Sequence, residues 1–482
     1  MAGDSRLFKK RDNMKLIPVY AWTKTTVHME NNARKFKKQP WAQGVILLTC
    51  VVVAMLLANL PWTRDAYHHI LETSLSFTVT TPSGGGITFP KDMTVEKFIN
   101  DILMVIFFFT VGLEIKREVA FGELSSPKKA IMPIIAAFGG VVVPALIYTF
   151  INKGTAASSG WGIPTATDIA FAVGILSILG NKVPVSLKVF LTALAIADDL
   201  IAILVVAIFY GGSINLNLLL IALLVVTFIV ILNLIHEKRP WAYLVPSIVL
   251  WVLFYYAGIH ATMAGVVMAF LIPSTPRYTK QYYYRKRDYW RHKLEEYDSI
   301  EEPGGFPNGP QRHVLRKLSQ TSRNLISMSY TQEHLLSPWV NFLIMPLFAL
   351  ANAGVTIPDV SYFNIFHFTP GVGSVSMGIF LGLVLGKPLG ITLASLLAIK
   401  TKVGTMPDKA TWPMLFAVAC LGGIGFTMSI FVDTLSFGDL AADLTTTLRD
   451  MGKVAVLTGS LCAGLLGSAL ITIINKIQNV RK

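Results

Sequence analysis

The sequence predicts an all-α polytopic membrane protein of twelve transmembrane helices, and three observations carry that prediction. Of 482 residues, 53% are apolar and only 15% are charged, with a mean hydropathy of +0.56, a balance foreign to ordinary soluble domains. Apolar windows of roughly 20 residues, the length that crosses the hydrocarbon layer, recur along the whole chain. Lys and Arg gather in alternate connections between those windows, as the orientation rule for membrane proteins requires.

The elements follow in order. Residues 1–40 are polar and basic, with Lys9, Lys10, Arg11, Lys35, Lys37 and Lys38. They lack the short apolar segment of a cleaved signal peptide and read as a cytoplasmic segment. Eight spans are expected within 41–273, near 41–60, 96–120, 128–151, 162–180, 184–210, 214–236, 240–258 and 259–273. Four more lie within 335–478, near 335–354, 372–400, 411–434 and 452–477. Arg117, Lys128, Lys129, Lys182, Lys238, Arg239, Lys400, Lys402 and Lys409 mark one side, and Arg481 and Lys482 in the tail 479–482 place both termini there, in the cytoplasm. The net charge of +14 is therefore explained by topology, and a nucleic-acid role is excluded. Cys50, Cys420 and Cys462 lie in apolar runs without CxxC spacing, so neither a disulfide framework nor a zinc site is indicated.

Two stretches lie outside the spans. In "SLSFTVTTPSGGGITF" (74–89), alternation around Pro-Ser-Gly-Gly-Gly signals a β-hairpin at about 74–90 on the periplasmic side. An isolated hairpin is marginal in water, so pairing with a second subunit is one reading and a plain exposed loop the other. The segment 274–334 is an extended cytoplasmic loop. Its Arg285, Lys286, Arg287, Arg291 and Lys293, interleaved with Tyr and Trp, suit a partly helical segment on the lipid bilayer's anionic face, followed by a flexible linker around Gly304 to Pro310.

The chemistry lies where the spans break their own rules. The fourth, "GWGIPTATDIAFAVGILSILG", places Pro164, Thr165, Thr167 and Asp168 in an apolar run, and proline opens a helix by removing a donor. The eleventh, "ACLGGIGFTMSIFV", has Gly422, Gly423 and Gly425 at a comparable place. Aligning Gly162-Ile163-Pro164 and Asp168-Ile169 with Gly423-Ile424-Gly425 and Ser429-Ile430 gives a faint internal repeat. Two interrupted helices in corresponding halves point to a midplane site, although Gly and Pro also serve helix packing in membranes.

The ionisable residues decide between these. Asp198 and Asp199, in "ALAIADDLIAILVV", lie about fifteen residues into the fifth span, too deep to snorkel. Lys387 lies equally deep in the tenth and is the obvious partner. With Asp168 these four groups cost on the order of 12 kcal/mol if unpaired, at about 3 kcal/mol each. One structural Asp-Lys pair leaves two acids unexplained. Adjacent helical residues diverge by about 100°, so one acid can face a cavity while its neighbour faces another helix. Burial and a nearby acid both favour the protonated form of a carboxyl group, while ionised oxygens are hard ligands for a small cation. Competition between sodium and protons for Asp198, Asp199 and Thr167 would then give exchange.

At this point the residues resemble a family. "FFFTVGLEIKRE", "GWGIPTATDIAFAVGIL", "KVFLTALAIADDLIAI", "LFALANAGV", "LGKPLGI" and "GGIGFTMSIF" resemble the bacterial NhaA-type sodium/proton antiporters, from about residue 40 to 478. The resemblance implies inverted-topology repeats, spans 3–5 and 10–12, with the interrupted spans 4 and 11 crossing at the midplane. It assigns Asp198, Asp199 and Thr167 to the Na+ and proton site, and Asp168 and Lys387 to compensation of the half-helix ends. It implies a transporter without cofactor, not an enzyme, that extrudes sodium or lithium electrogenically for protons from the inner membrane. The hairpin matches the family's homodimer contact. Glu114, Arg117 and Glu118, with Glu333 and His334, correspond to its pH-regulating cluster, and His260 in "GIHATMAGV" to a residue linked to the pH response. Plain alternatives are ion pairing at helix ends and a satisfied core histidine. Ser337 and the insert at 277–330 depart from the family pattern.

Two other classes compete. An intramembrane aspartyl protease needs two acids facing one water from different helices, and its Gly-x-Gly-Asp motif is missing. A sodium-coupled symporter for an organic anion could use similar crossed helices, and would show solute uptake without proton countermovement.

Overall fold

The computed structural model describes residues 41–480 apart from 76, 81–85, 90–92, 212–213, 236, 298–306, 358–361, 363, 367, 369–370 and 438–441. The basic segment 1–40 and the last two residues lie outside the described residues.

Long apolar segments form the helices, because a backbone in hydrocarbon must satisfy its own hydrogen bonds. They are α1 (Ala42–Asn59), α3 (Val95–Phe121), α4 (Pro127–Ile151), α6 (Val185–Phe209), α7 (Leu216–Leu234), α8 (Pro240–Ala257), α12 (Met328–Asn352), α13 (Val375–Lys400) and α16 (Ala442–Val480). These are nine single spans among the described residues. Two further spans are broken pairs. A 3-10 segment, Ala156–Thr165, meets α5 (Ile169–Leu179) at a 41° bend, and α14 (Trp412–Gly422) meets α15 (Phe426–Ser436) at 48°.

The count differs from the expected twelve at one place. Residues 259–273 form only a nine-residue helix, α9 (Met263–Leu271), about 13 Å long at 1.5 Å per residue. The stretch nevertheless leads from Ala257, bonded by the Asn215 amide, back to Thr275 and Pro276, bonded by Lys238 just before α8. Gly258, in the left-handed region at φ 81°, ends α8. The turn through Ala261 and Thr262 makes the first part of this stretch non-helical, so its helix is shorter than the expected span.

Small residues set the closest helix approach. A Cβ on Gly139 of α4 would strike the Gly390 carbonyl of α13, and one on Gly390 would strike the Gly139 carbonyl. The two backbones touch there, as small-residue contacts between membrane helices allow. This packing anchors α13, whose π-helical turn Gly382–Gly386 delivers Lys387 to the interior.

On one face of the spans, the short helix α2 (Arg64–Glu72) leads to strands β1 (Phe77–Thr80) and β2 (Gly86–Phe89). The strands pair antiparallel with Phe77 opposite Phe89 and Thr80 opposite Gly86. At their base, Ser74 bridges Thr94. On the opposite face, the insert forms α10 (Lys280–Tyr297) and α11 (Gly309–Arg323). The expected linker stops short of Pro310. Asn308 and Gln311 form a reciprocal capping box with both hydrogen bonds at 2.8 Å, and Pro310 stands in the first turn, where its missing N–H costs nothing. Gly304 itself lies outside the described residues.

Candidate functional site

The two broken spans meet at their breaks. Ala166, Thr167 and Asp168 are non-helical, and the Asp168 amide donates to the Ile424 carbonyl at 2.7 Å across the junction. Asp168 is the N-cap of α5, its Oδ1 accepting from the Phe171 amide at 3.2 Å. Its Oδ2 accepts from the Thr427 amide of α15 at 3.2 Å and from the Thr427 hydroxyl. One carboxylate therefore serves the N-terminal ends of both half-helices, where partial positive charge converges. Pro164 lies just before this break, in the 3-10 segment. Gly422 ends α14, and Gly423 and Gly425 lie between α14 and α15.

The opposite ends carry the complementary charge. The Thr167 hydroxyl donates to the Gly422 carbonyl at 2.7 Å, one of the last carbonyls of α14 and so part of its negative pole. Lys387 donates to the Thr167 hydroxyl and to Asp198 Oδ2. Both Lys387 and Asp198 are 0% exposed. The cation thus joins three spans, α13, α6 and the broken fourth, at one point.

Asp199 is the exception. It is 3% exposed, and its Oδ1, like Oδ1 of Asp198, has no hydrogen-bond partner among the described residues. The divergence of neighbouring residues on α6 explains the difference, since only Asp198 points at Lys387. Buried polar atoms are normally satisfied, so two unpartnered carboxylate oxygens on one helical turn mark a place where a proton or a small cation can add. Both acids come from one helix, which is not the arrangement of two helices sharing one catalytic water.

A separate cluster gathers where α3 meets α12. Arg117 Nη1 lies 3.0 Å from Glu118, Nε 3.0 Å from Glu333 and Nη2 3.8 Å from Glu114. Among the described residues His334 does not join it through a polar contact. Its ring stacks edge-on against Tyr330, with centroids 4.1 Å apart. Ser337 accepts from Asn341 at 3.4 Å. His260 is apart from both sites: Nδ1 lies 2.7 Å from the Thr262 hydroxyl, and the ring packs on Phe431. Lys116, which the sequence reading passed over, donates to the carbonyls of Phe270 and Ile272 and so closes the C-terminal end of the short α9. Thr427 was also missed. Its signal was a hydroxyl two residues after Gly425, in the first turn of a half-helix.

The class this defines is a polytopic helical membrane protein with two interrupted helices crossing beside buried acids and one buried lysine, the plan of a secondary transporter. Comparison with known proteins narrows it. The family described as Na+/H+ antiporter 1 matches residues 34–471, and the chain belongs to that family. It is 42% identical over 437 residues to the "Na(+)/H(+) antiporter NhaA" of Koribacter versatilis, covering 91% of this chain and 90% of that one. It is also similar to the proteins of the same description from Wolinella succinogenes, 40% identical over 430 residues with 89% and 90% covered, and from Cronobacter sakazakii, 39% over 444 residues with 92% and 98% covered.

Proposed function

We propose that this chain is an electrogenic sodium/proton antiporter that carries sodium, or lithium, out of the cytoplasm in exchange for external protons. Its place is the bacterial inner membrane, with both termini cytoplasmic, and it works there as a homodimer joined through the β-hairpin. The observation that carries the proposal is the pair of buried, unpartnered carboxylate oxygens on Asp198 and Asp199, on the helix that Lys387 ties to Thr167 at the break.

The mechanism follows from charge balance. A small cation bound by Asp199 and Asp198, with the Thr167 oxygen at the break, offsets charge that would otherwise cost several kcal/mol in hydrocarbon. Protons offset the same charge by another route, so the two ligands exclude one another. When sodium leaves, Asp198 returns to Lys387 and protons fill the site. Asp199 takes one and the Asp198–Lys387 pair another, so about two protons enter per sodium ion and net charge moves inward. The half-helix ends, compensated by Asp168 and Lys387, let the broken spans shift without exposing bare dipole ends. If the site changes sides only when occupied, antiport results. The Arg117 cluster with Glu114, Glu118, Glu333 and His334, together with His260, sets the pH response.

The test is proton efflux from acid-loaded proteoliposomes on adding sodium, lithium or potassium outside. Sodium-dependent efflux that disappears in Asp199→Asn is expected. Substantial exchange in that variant would overturn the site, and sodium-driven solute uptake without proton movement would replace antiport by symport.

A further inference from the structure

The described interior holds one more acid, which the proposed mechanism does not use. Asp433 of α15 is 0% exposed, and both of its carboxylate oxygens lack a hydrogen-bond partner. It sits six residues beyond Thr427, about 9 Å farther along the half-helix from the crossing. α14 enters from the side of the basic loops, so α15 runs toward the opposite, outer side.

The surroundings are built for this group. α16 carries Gly452 against it, and a Cβ there would collide with Asp433 Oδ1. The charged groups that act on Asp433 from α16 are Lys453, Arg449 and Asp450. Tyr148 of α4 and Tyr210, at the end of α6, act on it from the other elements. The stretch of α12 packed on α15, Met345–Asn352, carries no titratable group. Neither Lys453 nor Arg449 forms an ion pair with Asp433 among the described residues, and Arg449 Nε is itself buried without a partner.

Asp433 also belongs to a file of hydroxyl groups. Ser429 lies one turn before it and Ser436 one turn after, on the same face of α15. The buried Ser429 Oγ has no partner. Ser436 donates to the Val432 carbonyl at 2.7 Å and acts on the Tyr210 phenol, which donates to the Ser159 carbonyl at 2.8 Å and accepts from the Gly162 amide at 3.0 Å. The Tyr210–Ser159 bond is exposed. The file therefore runs from the crossing to the outer edge.

We propose that Asp433 is a proton-relay residue on the outer half of the path, passing protons between the outer surface and the carboxylates at the crossing. The inference rests on the antiport reading for its purpose. A buried carboxylate with neither an ion pair nor a hydrogen bond is only partly offset by Lys453 and Arg449, and a bound cation or a proton completes the balance. Two basic side chains beside it repel sodium, which leaves the proton. The step balances simply: external hydronium gives a proton to the Asp433 carboxylate and stays outside as water, the resulting acid passes the proton on toward Asp199, and the carboxylate is restored.

The experiment combines infrared difference spectroscopy with transport, both on the full chain in liposomes. An external pH jump in the wild type should change a protonated-carboxyl stretch that Asp433→Asn lacks. The same variant should exchange at least about tenfold more slowly with a shifted pH profile, while its sodium KM stays within about twofold. A merely structural acid would move neither the infrared band nor the pH profile. Should the variant fail to fold, Ser436→Ala, which removes the hydroxyl one turn beyond Asp433 on the way to Tyr210, should slow the infrared response to the external jump. A carboxyl band unchanged in Asp433→Asn, a wild-type rate and pH profile in that variant, or an unchanged response in Ser436→Ala overturns the relay. The infrared measurement needs no sodium movement, so a chain that moved no sodium would refute antiport and leave the relay still decided.

Discussion

Replacing Lys387 with alanine tests the pairing at the centre of the site. Lys387 and Asp198 are both fully buried, and the ammonium also donates to Thr167. Removing one partner of a buried ion pair costs about 3–5 kcal/mol, because the other charge is left uncompensated. Losing the bond to Thr167 adds about 1 kcal/mol. Lys387→Ala should therefore destabilise the protein by about 4–6 kcal/mol and raise the apparent sodium KM, since Asp198 and Thr167 lose the group that holds them. The decisive variant is the double one. Asp198→Asn removes the stranded charge, so Lys387→Ala/Asp198→Asn should regain at least about 2 kcal/mol over Lys387→Ala alone. Thermal unfolding of the four proteins in one detergent, without sodium, reads this cycle directly. If the double variant melts no higher than Lys387→Ala, the two residues are not an energetically coupled pair and the reasoning fails.

The other predictions concern the junction and the cytoplasmic face. Asp168→Ala removes the cap of α5 and the Thr427 contacts of α15 together. It should lower stability by about 2 kcal/mol at roughly 1 kcal/mol per helix end, and it should also slow exchange; wild-type melting would show that the shared cap carries no energy. Arg117→Ala frees Glu118 and Glu333 from their 3.0 Å contacts, so the pH profile of exchange should move while the maximal rate stays within about twofold. An unmoved profile removes the cluster from regulation. Deleting 281–325, most of the α10 and α11 pair, should leave sodium/proton exchange intact, and complete loss in a folded protein would place the insert in the mechanism.

How much of this was legible depends on where the physics is local. Two adjacent acids in the middle of an apolar span are expensive wherever the chain goes, so Asp198 and Asp199 stand out before any contact is known. Pro164 and Gly423-Ile424-Gly425 likewise advertise breaks, because their effect is on their own backbone. The double duty of Asp168 is different. It joins residues 259 positions apart, and no local pattern encodes that meeting. The shortness of the helix within 259–273 was hidden for a related reason: apolar composition runs through the whole stretch, while the stop after α8 is a matter of Gly258 dihedrals.

Asp433 shows the same limit in its sharpest form. A span estimated to end near 434 puts this acid at the membrane edge, where a carboxylate reaches water at little cost and calls for no explanation. In the structure α15 continues to Ser436, and α16 lays Gly452 directly on the carboxylate. An error of two residues in a helix end thus separates an unremarkable interface charge from a fully buried one. The missing information was the neighbour: α16 lies against Asp433 through a glycine nineteen positions later along the chain. Helix ends are the least certain part of any reading from pattern, so acids within a turn of an estimated span end are where buried proton-carrying groups escape notice.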